Sequence, residues 1–154
     1  MKRDIKMEAF YPYPPERVWR AVADGKAMAK WLMPNDFEPK LGHKFQFRTK
    51  PAPGFDGIVH CEVLELQEPR LLRISWRGGP IDTVLKFLLE PVQGGTKLSL
   101  EHTGFTGVKG LMISYMMSSG WKKMFRTSLP AVIKNIDRLD ELPQDLKSCD
   151  PETV

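Results

Sequence analysis

The run from Gly120 to Leu139 constrains this chain more than any other stretch. Its apolar residues, Trp121, Met124, Phe125, Leu129, Val132, Ile133, Ile136 and Leu139, recur at spacings of three and four, with Lys122, Lys123, Arg126, Lys134 and Arg138 between them. That is the pattern of an amphipathic helix. An apolar face this wide needs a broad surface to cover it. The preceding chain reads mostly as strands, so the expected surface is a sheet. The stripe opens on Trp121, Met124 and Phe125, bulky and irregular side chains where a plain core helix carries Leu and Val. Whether that end packs solid or roofs a cavity is the functional question. A filled core is the default fate of such side chains.

The strands announce themselves by alternation. Ile5, Met7, Ala9 and Tyr11 alternate with Lys6, Glu8 and Phe10, which predicts a first strand. Tyr13-Pro14-Pro15 ends it, and Pro15 is placed to open a helix with Glu16 at its positive end. Val18, Trp19 and Val22 form one face of that helix, and Gly25 reads as its stop. A second short helix is expected from Lys26 to Leu32. Five inward sets follow: Phe45 and Phe47; Val59, Cys61 and Val63; Leu72, Ile74 and Trp76; Leu85, Phe87 and Leu89; Leu98, Leu100 and His102. Lys50 to Gly54, Glu68-Pro69, Gly78-Gly79-Pro80 and Gln93-Gly94-Gly95 separate them, so the series reads as an antiparallel meander. Val108 to Ser119 is apolar nearly all round and reads as helix. Its stripe of Leu111, Met112, Tyr115 and Ser119 runs on to Lys122 and Lys123, out of phase with the stripe that begins at Trp121. A break or bend is therefore expected near Gly120, and a second at Pro130. A Met112-to-Met117 face left exposed would serve as a lid or a dimer surface.

Length and composition limit the rest. The chain has 154 residues, 42% hydrophobic and 27% charged, with a net charge of +4. That suits one domain with a proper core, expected over residues 1–142, followed by a polar tail at 143–154 expected to be disordered. Basic and acidic residues are interspersed, so nucleic acid is not an expected partner. No stretch resembles a signal peptide or a membrane span. Cys61 and Cys149 make neither a disulfide framework nor a metal set, and a reducing, cytoplasmic setting is the natural expectation. His43, His60 and His102 form no HxxxH or HExxH spacing, no GxSxG occurs, and the paired glycines belong to hairpin turns. The sequence therefore points to no metal, no cofactor and no catalytic residue.

Specific residues resemble a known family. Pro14-Pro15-Glu16-Arg17-Val18-Trp19 is followed by Trp31-Leu32-Met33-Pro34, Leu41-Gly42 with Phe45, Gly57, Glu68-Pro69-Arg70-Leu71-Leu72 and Trp76. Then come Gly95-Thr96-Lys97-Leu98, His102-Thr103-Gly104-Phe105 and Gly120-Trp121. In this order and spacing the motifs resemble the Hsp90-ATPase-activator-homologue branch of the START/Bet v 1-like superfamily, also called SRPBCC, over about residues 5–140. The resemblance implies an α+β helix-grip fold: a curved antiparallel sheet of about six strands, two short helices after the first strand, and a long C-terminal helix across the sheet. It also implies an apolar cavity between sheet and helix, and binding of lipids, sterols, polyketides or flavonoid-like molecules. A minority of the superfamily are enzymes, so a cyclase, dehydratase or hydrolase of the same fold is the first alternative. A chaperone-associated, stress-related module is the second. The co-chaperone that names the family grips its chaperone through a separate N-terminal domain with no counterpart here, so that role is not expected to carry over. Pro130 departs from the family pattern.

The residues expected to face the ligand come from the inward sets and the helix stripe: Phe45, Phe47, Val59, Ile74, Trp76, Leu85, Phe87, Leu100, His102, Met112, Tyr115, Met116, Trp121 and Phe125. Aromatic rings and thioethers suit an irregular apolar ligand. The alternative for each is that it simply fills the core. His102, placed inward by its alternation with Leu98 and Leu100, would bond a polar ligand group or carry a proton. Satisfaction by a neighbouring hydroxyl or backbone group is its bland fate.

Overall fold

β1 (Lys2–Tyr11) buries Ile5 and Tyr11 and exposes Lys6, Glu8 and Phe10, as strand alternation requires. The computed structural model describes residues 2–142, and the expected tail at 143–154 lies outside them. Pro15 opens α1 (Pro15–Val22) where its missing N–H has no helical acceptor to lose. α2 (Gly25–Trp31) follows at once. Gly25 thus starts the second helix rather than stopping the first. The Asp24 carboxylate accepts from the Ala27 N–H at 3.0 Å and caps the new helix. A Cβ at Gly25 would lie 3.0 Å from Asn35 Oδ1 and 3.1 Å from the Phe37 carbonyl oxygen. The glycine is there for room.

Five further strands complete the sheet: β2 (Lys44–Arg48), β3 (Ile58–Gln67), β4 (Leu71–Gly78), β5 (Ile81–Val92) and β6 (Gly95–Thr106). All six are antiparallel, in the order β1-β6-β5-β4-β3-β2. The meander from β2 to β6 is closed by β1, which pairs Ile5 with His102 and Tyr11 with Thr96. The sheet is curved, and the architecture is the α+β arrangement expected. All five inward sets are buried on one face, and α1, α2 and the C-terminal helices cover that face.

The C-terminal helix departs from expectation. α3 (Gly107–Arg126) runs through Gly120 without a break. Its buried residues are Gly110, Ser114, Ser118, Trp121 and Phe125, one continuous stripe at spacings of three and four. The predicted phase slip came from assuming that the large apolar residues of the first half face inward. They do not. Small residues face the sheet, letting the helix approach the β1–β6 edge, while Met112, Tyr115 and Met116 are 67%, 60% and 68% exposed. A Cβ on Gly110 would stand 3.4 Å from the Phe105 carbonyl carbon. Arg3 of β1 donates to Ser114 Oγ at 3.2 Å, and its guanidinium lies 4.0 Å from the centre of the Tyr115 ring.

The break falls at Thr127 (φ −121°, ψ −68°), between α3 and α4 (Ser128–Lys134). Pro130, in the first turn of α4, has no N–H to offer the Arg126 carbonyl, and its ring would crowd that oxygen in a continuous helix. The expected disturbance at Pro130 is present, set a few residues upstream. The Phe125 carbonyl at the break accepts from the buried Tyr11 hydroxyl at 2.7 Å. Arg17 of α1 donates to the carbonyls of Ile133 and Lys134 at 3.1 and 2.9 Å, closing the end of α4 with a cation. A short 3₁₀ segment, Ile136–Glu141, follows.

Candidate functional site

Between sheet and helices the interior is filled by rings. Trp31 meets Phe87 edge-on at 6.1 Å and lies 6.4 Å from Trp121. Trp76 bridges Phe47 at 5.3 Å and Trp121 at 5.8 Å. Centroid separations of this size are those of packed aromatic pairs. Every buried side-chain nitrogen and oxygen among the described residues has a hydrogen-bond partner.

His102 shows how that satisfaction is built. It is fully buried. Trp121 Nε1–H donates to His102 Nδ1 at 3.2 Å, and an indole nitrogen can only donate, so Nδ1 carries no proton. Nε2–H then donates to Thr83 Oγ1 at 2.8 Å, and that hydroxyl donates to the Trp76 carbonyl at 2.9 Å. Both ring nitrogens are occupied. Burial lowers the imidazole pKa to about 3, because the charged form would stand in apolar surroundings with no counter-ion. His102 is a neutral structural strut joining α3, β4, β5 and β6.

The open apolar space lies at one end of the sheet. A cleft of about 480 Å³ separates the first half of α3 from the loop carrying Ala52 and Phe55, the β4–β5 turn and β3. α3 contributes Lys109, Met112, Ile113, Met116 and Met117, while Met33, Phe55, Val59, Trp76 and Ile81 supply the opposite wall. The loop is held by paired backbone hydrogen bonds between Ala52 and Phe55, each 2.9 Å. It returns to β3 through Gly57, whose φ of +85° and approach to the Thr49 carbonyl exclude a side chain. Trp76 belongs to both regions, 3% exposed, facing the cleft while packed on Phe47 and Trp121.

The residues expected to face a ligand therefore fall into separate groups. Val59, Trp76, Met112 and Met116 meet at the cleft. Phe47, Ile74, Leu85, Phe87, Leu100, His102, Trp121 and Phe125 are packed core. Phe45 is buried against Phe37 and Phe47 under β2, at 5.1 and 5.4 Å. Met112, Tyr115 and Met116 were expected on the inward face, and all are exposed because the small residues of α3 take that position. Tyr115 lies beneath Arg3, away from the cleft. Sequence reasoning missed Met33, Phe55, Ile81, Lys109, Ile113 and Met117. Ala52 to Phe55 and Gly78 to Pro80 were legible as turns, yet nothing in their spacing places them beside α3.

Cys61 is buried, and burial together with Asp36 pushes its thiol pKa far above the usual range, which keeps it unreactive. Among the described residues no group of three His, Cys, Asp or Glu side chains is placed to hold a metal ion, and no helix is long and apolar enough to cross a membrane.

A six-stranded antiparallel sheet gripped by a C-terminal helix, with an apolar cleft beside that helix, defines the SRPBCC class of fold. The chain belongs to the family of Activator of Hsp90 ATPase homolog 1-like proteins, whose family model matches residues 12–134. It is similar in structure to protein MLL2253 from Mesorhizobium loti, at 29% identity and a TM-score of 0.76, covering 86% of this chain and 98% of that one. Protein BH1534 from Bacillus halodurans is similar at 25% identity and a TM-score of 0.70, covering 86% and 99%. CalU16 from Micromonospora echinospora shares the fold at 22% identity and a TM-score of 0.66, covering 93% and 79%. No curated protein matches the sequence.

Proposed function

We propose that this protein binds a small hydrophobic molecule in the cleft between the first half of α3 and the ends of β3, β4 and β5. One observation carries the reading: four methionines, Met33, Met112, Met116 and Met117, converge with Phe55 and Trp76 around an apolar space of about 480 Å³. That size suits a drug-like or lipid-like molecule, and thioethers adapt to irregular shapes. Met112 and Met116 are largely exposed, so a ligand would gain by covering them. Membership of the family and a fold shared with ligand-binding domains support the same reading. Among the described residues the lining offers one titratable side chain, Lys109, and no acid–base pair of the kind a dehydratase or hydrolase uses. Binding is therefore the reading the site favours over catalysis.

The test is a double substitution, Met112→Glu with Met116→Glu. Both side chains are exposed, so the variant should fold with its unfolding midpoint little changed. Affinity for apolar probes such as decanol or a naphthyl compound, followed by tryptophan fluorescence and amide shifts, should fall at least about tenfold. Burying one such side chain is worth about 1.5–3 kcal/mol. Unaltered affinity in the folded variant, or probe-induced shifts remote from α3 and Trp76, would place binding elsewhere.

A further inference from the structure

Among the described residues, Lys109 is the only charged side chain lining the cleft. It is exposed, and among the described residues it takes part in none of the ion pairs. It also stands in the first turn of α3, where no acidic residue is present. A helix N-terminus carries positive partial charge, so a cation there is unfavourably placed until a negative group joins it. From Lys109 the cleft wall continues along α3 through Met112, Ile113 and Met116 to Met117, about 12 Å of helix axis at 1.5 Å per residue. Among the described residues, the other lining side chains with a polar atom, Thr49 and the Trp76 indole, are uncharged. The site thus has a cation at one end and an apolar trough beyond it.

We infer that the cleft selects an amphipathic carboxylate, its head at Lys109 and its alkyl or fused-ring body along Met112 and Met116. This rests on the small-molecule reading above. A single lysine matches a single negative charge. A phosphate dianion would call for additional cations or the bidentate fork of an arginine, and the lining has neither. The head stays at the water-exposed rim, so the lysine sets preference while the apolar wall supplies most of the affinity.

The experiment compares decanoate with decanol, which share a tail and differ in the head, on the whole chain at low and high salt. The wild-type protein should bind decanoate roughly two- to fivefold more tightly than decanol, the range of one solvent-exposed ion pair. Lys109→Gln should erase that preference and Lys109→Glu should reverse it. Added salt should shrink the preference in the wild type. Equal preference in wild type and Lys109→Gln would overturn the carboxylate inference and leave the small-molecule reading standing. Failure of both compounds to bind would overturn both. Association with phosphatidylglycerol vesicles, without binding of monomeric decanoate, would assign Lys109 to a lipid surface and overturn the inference.

Discussion

A donor-only indole on Nδ1 and a threonine hydroxyl on Nε2 leave the His102 ring no site for a second proton. The folded-state pKa of about 3 lies below the ordinary value of 6.5, so the unfolded chain takes up the proton first as pH falls. The stabilisation is complete above about pH 6.5 and is lost progressively from there towards pH 3, with a limiting slope of about 1.4 kcal/mol per pH unit. Urea unfolding at pH 7.5, 6 and 5 should show this loss. His102→Gln should be less stable at pH 7.5, since Trp121 and Thr83 lose their partner, yet flatter between pH 6.5 and 5. An unchanged slope in that variant would mean that other groups carry the acid sensitivity. The inward placement of His102 was legible, because alternation with Leu98 and Leu100 reveals which side of a strand a residue takes. Its partners were not, because Trp121 and Thr83 reach it from other elements.

α3 shows what periodicity reveals and conceals. That Val108 to Ser119 and the stripe beginning at Trp121 are helical was readable; that they join in one helix through Gly120 was not. Which face is buried was not. A stripe of Gly110, Ser114 and Ser118 gives no hydrophobic signal, so the larger Met112, Tyr115 and Met116 drew the inward assignment. The break was more accessible, since proline acts on its own helix through local sterics and needs no knowledge of the rest of the fold. Packing on the small face leaves little slack. Ser114→Leu should cost about 2–3 kcal/mol, through crowding against the β1–β6 edge and loss of the Arg3 contact. Met112→Gln should stay within about 0.5 kcal/mol. Equal costs in urea unfolding would show that α3 is seated differently.

Across the whole molecule, Trp31 ties α2 to its neighbour α1 and to elements far along the chain. Its Nε1–H donates to the Ala21 carbonyl of α1 at 2.8 Å, and its own carbonyl accepts from Ser128 Oγ of α4 at 3.2 Å. Its ring rests on Phe87 of the sheet and on Trp121 and Phe125 of α3. Trp31→Ala should cost about 3–5 kcal/mol, a fall in thermal midpoint of about 6–20 °C for a domain of this size. Trp31→Phe should recover part of that loss. A midpoint unchanged in the alanine variant would mean that the interior is not the packed cluster described.

The two sides of α3 have separable jobs. Gly110, Ser114 and Ser118 hold the helix to the sheet, while Met112 and Met116 face the open cleft and contribute little to that attachment. Substitutions on the open side leave the scaffold standing, so under the proposed function one frame can be retuned to different guests at almost no toll on its own integrity.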